Sequence, residues 1–162
     1  MELNDNLFKL DDLYDLLMQL GEDVRQGYVD KLVKNGRPTT ENTLASTVKA
    51  YVEVKGTTYE VGLELQDYWK YVEEGTKPHW PPPSAILRWI TIKPVVPRPD
   101  KNGRIPTPKQ LAFLIGRKIS EVGTKGTHDL KETTEALLGF YEQQIAEALG
   151  RDCFRYIEKI TA

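Results

Sequence analysis

The spacing between apolar residues changes along this chain, and no other feature constrains its fold as strongly. Over the first 36 residues, apolar side chains recur at intervals of three and four, which predicts one buried stripe on a long helix. The stripe consists of Leu3, Leu7, Leu10, Tyr14, Leu17, Val24, Tyr28 and Leu32. Asp5 can cap the start of this helix, and Gly36 followed by Pro38 can end it. Gly21 and Gly27 each weaken the helix, so it can bend near them.

The apolar period then becomes two, which is the period of a strand. Two alternating runs are separated by Gly56-Thr57, so we predict a β-hairpin with one buried face. Its apolar positions are Val48, Ala50, Val52 and Val54 in the first run and Tyr59, Val61, Leu63 and Leu65 in the second. Because an isolated hairpin is marginally stable in water, its apolar face must lie against a helix, or its edges must gain strands from elsewhere in the chain or from a neighbouring copy.

Aromatic residues and prolines dominate the middle of the chain. Residues 68–77 are predicted to form a short aromatic helical turn that Gly75 can end. The run from 79 to 83 contains three successive prolines and must be extended, because each proline restricts the residue before it. Ser84 can cap a short helix that Pro94 closes. The apolar residues of this helix are Ile86, Leu87, Trp89 and Ile90.

Residues 94–106 are predicted to form a protruding, proline-rich arm that is locally basic. Its prolines are Pro94, Pro97, Pro99 and Pro106, and its cations Arg98, Lys101 and Arg104 outnumber Asp100. The following Thr107-Pro108-Lys109-Gln110 combines a capping box with proline at the first helical position, which predicts a helix start. Gly123 can end this helix. Its predicted buried face consists of Leu111, Leu114, Ile115, Ile119 and Val122.

Asp129, with Glu132 three residues later, can open the last helix, and Gly150 can break it. The apolar stripe of this helix is Leu130, Leu137, Leu138, Tyr141, Ile145, Leu149, Tyr156 and Ile160. Because the strands are grouped and do not alternate with helices, the sequence predicts an α+β fold. We expect a small antiparallel sheet, made of the hairpin with room for an extra strand, packed against long N- and C-terminal helices. At 162 residues the chain is expected to be a single domain over 1–162.

Composition argues against several classes of protein. The chain has 22 Lys and Arg against 24 Asp and Glu, a net charge of −2, so no overall field would hold it on nucleic acid or on an anionic membrane. The one cysteine, Cys153, cannot form an intramolecular disulfide, which suits a reducing cytoplasm. The first residues do not look like a secretory signal, and the longest apolar run, 111–115, is far too short to span a membrane. We therefore expect a soluble protein with no membrane partner.

No set of residues in the sequence points to catalysis. His79 and His128 each follow a Gly-Thr-Lys turn, but two histidines without metal-ligand spacing are more simply turn residues. Glu73 and Glu74 are adjacent, so their side chains point in different directions and do not converge on one substrate atom. With no phosphate loop, nucleophile elbow or zinc motif, we expect no enzyme activity, no cofactor and no metal.

Aromatic residues could instead stack on bases or on a peptide. They are Tyr68, Trp69, Tyr71, Trp80 and Trp89. Because large aromatics interleaved with aliphatic residues usually belong to a core or a subunit interface, that interpretation is preferred.

Two segments, taken in order, resemble the neck and tail-completion proteins of long-tailed bacteriophages. The first runs from an aromatic turn into Val72-Glu73-Glu74-Gly75-Thr76, followed by Pro78-His79-Trp80-Pro81-Pro82 and a short helix with Trp89. The second runs from Ala112-Phe113-Leu114-Ile115-Gly116-Arg117-Lys118-Ile119 into Gly123-Thr124. The resemblance covers mainly residues 68–130. Its motif residues are Glu73, Glu74, Gly75, Thr76, Gly123 and Thr124.

The resemblance implies a structural virion protein at the head-tail junction, in the neck or tail region, that is assembled in the host cytoplasm. Such a protein would form a six- or twelve-fold ring of identical copies. It would contact the portal or its adaptor and head-closure proteins on one side and tail tube or tail terminator proteins on the other. DNA would pass through the ring without sequence specificity.

Two hypotheses of different classes follow. In the first, the arm joins neighbouring subunits or rings, and the interface residues are Trp80, Pro97, Arg98, Pro99, Lys101 and Arg104. The alternative is a small DNA- or peptide-binding regulator with a local basic patch. That patch would consist of Arg98, Lys101, Arg104, Arg117 and Lys118.

Overall fold

A computed structural model describes residues 10–92, 95–99 and 101–161 of the chain. Its helices are α1 Asp11–Lys34, α2 Leu44–Thr47, α3 Trp69–Glu73, α4 Pro83–Ile92, α5 Pro108–Val122 and α6 Asp129–Thr161. Its strands are β1 Lys49–Lys55, β2 Thr58–Glu64, β3 Gly75–Thr76 and β4 Thr124–Lys125. The predicted α+β class with long N- and C-terminal helices is confirmed. Several residues named in the predictions lie outside the described residues: Leu3, the predicted cap Asp5, Leu7, Pro94 and Asp100.

The chain divides into two compact units. The first contains the described residues up to 31, residues 47–65, and those from 129 onward. The second contains residues 32–46 and 66–128. That the whole chain acts as a single domain stays a prediction.

The core of the first unit forms where α1 and α6 meet the hairpin. Its buried members are Leu10, Leu13, Leu17, Leu20, Val24 and Tyr141, and the half-buried hairpin residues Val52, Tyr59, Val61 and Leu63 pack against them. The hairpin therefore lies against a helix, as predicted. Tyr14 was wrongly placed in the buried stripe: it is exposed, while Leu13 and Leu20 are buried.

Two glycines let α1 approach its neighbours closely, and the helix continues through both. A Cβ added to Gly21 would lie 3.0 Å from Cγ2 of Val61 in the hairpin. At Gly27 an added Cβ would lie 2.8 Å from Cγ2 of Thr133 in α6. Close packing therefore explains both glycines. From the sequence alone they were expected only to weaken the helix.

Strands β1 and β2 form an antiparallel pair with Lys49 opposite Glu64 and Lys55 opposite Thr58. Within the described residues this sheet contains no third strand, so the extra strand is not part of it. A separate two-stranded sheet, β3 with β4, occurs in the second unit. Val54, predicted to be buried, is exposed near the turn that Gly56 forms with a positive φ.

The first turn of α1 is capped by a side chain from the far end of the chain. Asp152 in α6 is buried, and its two carboxylate oxygens accept hydrogen bonds from the backbone N–H of Asp12 at 3.2 Å and of Leu13 at 2.9 Å. These N–H groups have no partner inside the helix, so the carboxylate satisfies them and also favours the positive end of the helix. Arg155 and Arg151 hydrogen bond to Asp12 and lower the pKa of its carboxyl.

Helix α6 is continuous, so the expected break at Gly150 does not occur. Its predicted stripe is only partly buried: Tyr141 is buried, whereas Leu138, Leu149 and Ile160 are exposed. The apolar spacing correctly predicted a helix. The helix is 33 residues long, however, and its apolar stripe is not buried along the whole of that length. Glu132 makes an ion pair with Lys31 at 2.9 Å.

In the second unit, α4 begins at Pro83, one residue before the predicted cap Ser84. Proline is favoured at the first helical position because the missing N–H would have no partner there. The capping box of Thr107 and Gln110 is confirmed, and Gly123 ends α5 as predicted. The predicted buried face of α5 is only partly right: Leu111, Ile115 and Ile119 are half-buried, but Leu114 and Val122 are exposed. The buried residues of this helix are Ala112 and Gly116.

The described part of the arm, 95–99 and 101–106, contains no helix or strand. Its side chains are mostly exposed, and Val96 is almost fully so. In the described residues, no helix is both long and apolar enough to cross a membrane.

Replacing Asp152 by alanine should lower the free energy of unfolding by about 2 kcal/mol, because the buried N–H of Leu13 and the partly buried N–H of Asp12 lose their acceptor. Urea unfolding of the full chain measures this change. Glu142→Ala, at an exposed position of the same helix, serves as the control and should change the free energy by no more than about 0.5 kcal/mol. Equal effects of the two substitutions would contradict the capping role.

Tyr141→Phe removes a hydrogen bond that the buried tyrosine hydroxyl donates to Asp23 Oδ2 at 2.5 Å, so it should destabilise the protein by about 1 kcal/mol at pH 7. Burial and the neighbouring Asp23 raise the pKa of Tyr141 from 10.0 to about 12. Since the pKa is raised in the folded state, this contribution is complete below pH 10 and is lost as the pH rises towards 12. Unfolding measured between pH 8 and 11 should therefore depend less on pH in the variant, and parallel profiles would contradict this expectation.

Candidate functional site

The two Gly-Thr turns found in the sequence pair with each other. Strands β3 and β4 run antiparallel, with Gly75 opposite Lys125 and Thr76 opposite Thr124. We call residues 72–76 together with 123–128 the Gly-Thr clasp. It connects the end of α3 to the end of α5, so the motif residues predicted from two separate segments form one structure.

Hydrogen bonds extend on both sides of this short pair. The N–H of Thr127 donates to the carbonyl of Val72 at 3.1 Å, and the N–H of His128 donates to the carbonyl of Glu73 at 3.1 Å. The hydroxyls of Thr76 and Thr124 lie 2.9 Å apart, and the Thr124 N–H donates to Thr76 Oγ1 at 3.2 Å. Two threonines facing each other across a strand pair make a favourable cross-strand contact.

The glycines make the close approach possible. Gly75 and Gly123 have positive φ angles of 80° and 72°, a region that residues with a Cβ rarely adopt. A Cβ on Gly75 would lie 2.1 Å from the carbonyl oxygen of Thr124, and one on Gly123 would lie 2.0 Å from the carbonyl oxygen of Thr76. Each turn therefore needs glycine because the backbone of the other turn occupies the space.

A third glycine, Gly126, also belongs to the clasp. A Cβ there would lie 2.2 Å from the carbonyl oxygen of Glu73. Of the two motif glutamates, Glu73 is buried and Glu74 is exposed, which confirms that they point in different directions. They do not form a carboxylate pair.

The two histidines do not come together as a site. His79 is exposed, and its Nδ1 lies 2.9 Å from the carbonyl oxygen of Lys77. His128, also exposed, has a φ of 54° and directly precedes α6. In the part of the chain that the structure describes, no group of three or more His, Cys, Asp or Glu is positioned to hold a metal ion. Cys153 is half-buried with a free thiol.

A second candidate site is a groove between α4 and α5. The rings of Trp80 and Phe113 are 5.7 Å apart and tilted by 60°, and both side chains are more than 45% exposed. Ile86 packs over Gly116, where an added Cβ would lie 3.3 Å from its Cδ1. The groove has a volume of about 370 Å³. Its lining includes Trp80, Pro83, Leu87, Lys109 and Phe113.

The arm lies beside this groove. A neighbouring concave surface is lined by Arg98, Arg104, Ile105, Lys109, Phe113 and Leu114, among others. Because Lys109 and Phe113 line both concave surfaces, the two are continuous. We call the combined surface the apolar-basic groove. Among its described lining residues there is no Asp or Glu.

Three of the six predicted interface residues, Trp80, Arg98 and Arg104, thus line one surface. Pro97 is half-buried, whereas Pro99 and Lys101 are exposed, and none of these three lines the groove. The structure adds Lys109 and Phe113, which sequence reasoning placed only in a helix. Their spacing of four residues on one helix face was the signal that could have identified them.

The basic patch of the alternative hypothesis is only partly assembled. Arg98 and Arg104 lie together, but Arg117 forms an ion pair with Glu121 at 3.4 Å on α5, and neither Arg117 nor Lys118 lines the groove. The aromatic residues are not core residues either: Tyr68, Tyr71, Trp80 and Trp89 are exposed, and Trp69 is half-buried. Placing them in a core was wrong, whereas an interface role stays a prediction.

Gly123→Ala should destabilise the protein by about 3 kcal/mol or more, since it combines backbone strain with a clash against the Thr76 carbonyl. Gly103→Ala is the matched control. Gly103 has a φ of 76° but nothing within 4 Å of an added Cβ, so only the strain of about 1–2 kcal/mol applies. Urea unfolding of both variants measures the difference, and equal losses would show that the close approach does not exist.

Comparison with known proteins found no matching family model, curated protein or solved structure. The function is therefore inferred from the residues of this chain. The Gly-Thr clasp and the apolar-basic groove are the two features from which that inference starts.

Proposed function

We propose that this protein is a structural, non-enzymatic component of a bacteriophage particle, located at the head-tail junction as a neck or tail-completion protein. One observation carries the proposal. The two segments on which the resemblance to that family rests are separated in sequence but meet in the Gly-Thr clasp. Motifs that were recognised independently are thus parts of one structural unit.

The surface of the second unit also supports a role in assembly. Trp80 and Phe113 expose large aromatic areas beside the cations Arg98 and Lys109. Aromatic residues and arginine are the types enriched where protein partners bind. Contacts of one surface with a different surface of the next copy, repeated by rotation, close into a ring.

In this role the protein forms a closed ring through which DNA passes. Portal, adaptor or head-closure proteins contact one side, and tail tube or tail terminator proteins contact the other. The net charge of −2 fits a channel component that does not retain DNA, because binding to phosphates grows with the number of cations that contact them.

A second candidate function is binding of an anionic ligand by a small regulator. The observation that favours it is that the three cations Arg98, Arg104 and Lys109 line one concave surface. Binding to a fluorescent DNA duplex that weakens steeply with salt would support this candidate. Absence of binding at 50 mM salt would exclude it for duplex DNA.

Inactivating the gene for this protein during infection should give DNA-filled heads and separate tails, because the joint between them is missing. Negative-stain electron microscopy counts joined and unjoined particles. Supplying the intact chain from a plasmid should restore joined particles. Supplying a chain that lacks residues 96–104 should not, although that chain should remain folded by circular dichroism. Joined particles in normal numbers without the gene would refute the proposal.

A further inference from the structure

Helix α6 carries an outer face turned away from its buried side. Phe140, Glu147 and Phe154 follow one another at intervals of seven residues, so they lie in one line along the helix. Phe140 is 68% exposed and Phe154 is 62% exposed. The buried residues Tyr141, Ala148 and Asp152 follow a different line of the helix, and the ring centroid of Tyr141 lies 5.4 Å from that of Phe140.

Two glutamates lie on this outer face. Glu147 is exposed between the two phenylalanines, and its carboxylate accepts a hydrogen bond from Gln143 at 2.8 Å. Glu158 lies one turn beyond Phe154 and is also exposed. Arg151, four residues after Glu147 and three before Phe154, also lies on this face, and its charge is paired with Asp12 at 2.8 Å. Large exposed apolar residues that share one face of a helix are a feature of surfaces that bind another protein.

The apolar-basic groove has the complementary character. Trp80 and Phe113 provide the apolar contact, while Arg98, Arg104 and Lys109 provide positive charge at its edge. Phe140 and Phe154 are 14 residues apart, which is about 21 Å along a helix. A helix face of this length can contact both parts of the groove, with apolar groups in the middle and opposite charges alongside.

We propose that the outer face of α6 of one copy binds the apolar-basic groove of a second copy. Phe140 or Phe154 packs against Trp80 and Phe113, and Glu147 faces Lys109. This proposal rests on the proposed function, because it names the contact that would build the ring. The two surfaces differ, so the contact is heterologous and leaves the pair with one free groove on one copy and one free face on the other for further copies.

Two variants of the 162-residue chain test the contact directly. Each is blocked at one of the two surfaces and keeps the other intact. Phe113→Asp disrupts the groove, and a second variant that carries both Phe140→Asp and Phe154→Asp disrupts the face, all at exposed positions. In sedimentation velocity, the intact chain should associate as its concentration rises, and each variant alone should associate at least tenfold more weakly. An equimolar mixture of the two should form a heterodimer and nothing larger, since one intact groove and one intact face remain.

Matched controls place aspartate at other exposed apolar positions of the same helices. Val122→Asp on α5 and Ile160→Asp on α6 lie outside both surfaces and should associate like the intact chain. An intact chain that stays monomeric up to about 1 mM, the weak end of specific association, would overturn the proposal. So would a mixture of blocked variants that stays monomeric, or controls that lose association equally.

Charge reversal provides a test that does not depend on aromatic residues. Lys109→Glu and Glu147→Lys should each weaken association, and the chain carrying both should recover it, because every contact then pairs opposite charges again. Failure of recovery would overturn the pairing.

This contact and the proposed function can fail independently of each other. Joined particles can require this gene even if this contact is wrong, and the contact can form in solution even if particles do not need the gene.

Discussion

The close backbone approach in the Gly-Thr clasp is the interaction on which the second unit depends. Gly75 and Gly123 place the carbonyls of Thr124 and Thr76 where any Cβ would be. The clasp thereby closes the loop of chain that contains α4, the arm and α5. Closing a loop of this length costs conformational entropy, which the hydrogen bonds and glycine contacts of the clasp must offset. The groove between α4 and α5 lies within this closed segment, so its shape depends on the clasp.

Much of the fold could be predicted from the sequence because it depends on local rules. The hairpin follows from a period of two around Gly56, and the start of α5 follows from Thr107 and Gln110, which satisfy each other's backbone and side-chain groups. The class follows from the order of these elements. Tertiary contacts could not be predicted in this way. Asp152 caps the helix by accepting from Asp12, 140 residues earlier, and from Leu13, and nothing near these two residues in the sequence indicates the contact.

The candidate site was predictable in parts but not as an arrangement. The Gly-Thr turns were recognisable because glycine commonly ends a helix, yet that rule explains each turn separately and does not indicate their pairing. Burial on α5 was predicted wrongly for Leu114 and Val122, because large apolar residues were expected to face inward. In the structure the small residues Ala112 and Gly116 face α4, since close helix packing favours them, and Leu114 is exposed. The exposed apolar residues then become available for a partner.

Hydrogen exchange at the clasp tests the central claim most directly. The amides of Thr127 and His128 donate to carbonyls of Val72 and Glu73, 55 residues away in sequence. If the clasp holds the second unit together, these two amides should exchange as slowly as those in the middle of α5, and Gly103→Ala should not change them. Exchange of both amides at the rate of the exposed arm amides would show that the two turns do not pair in solution.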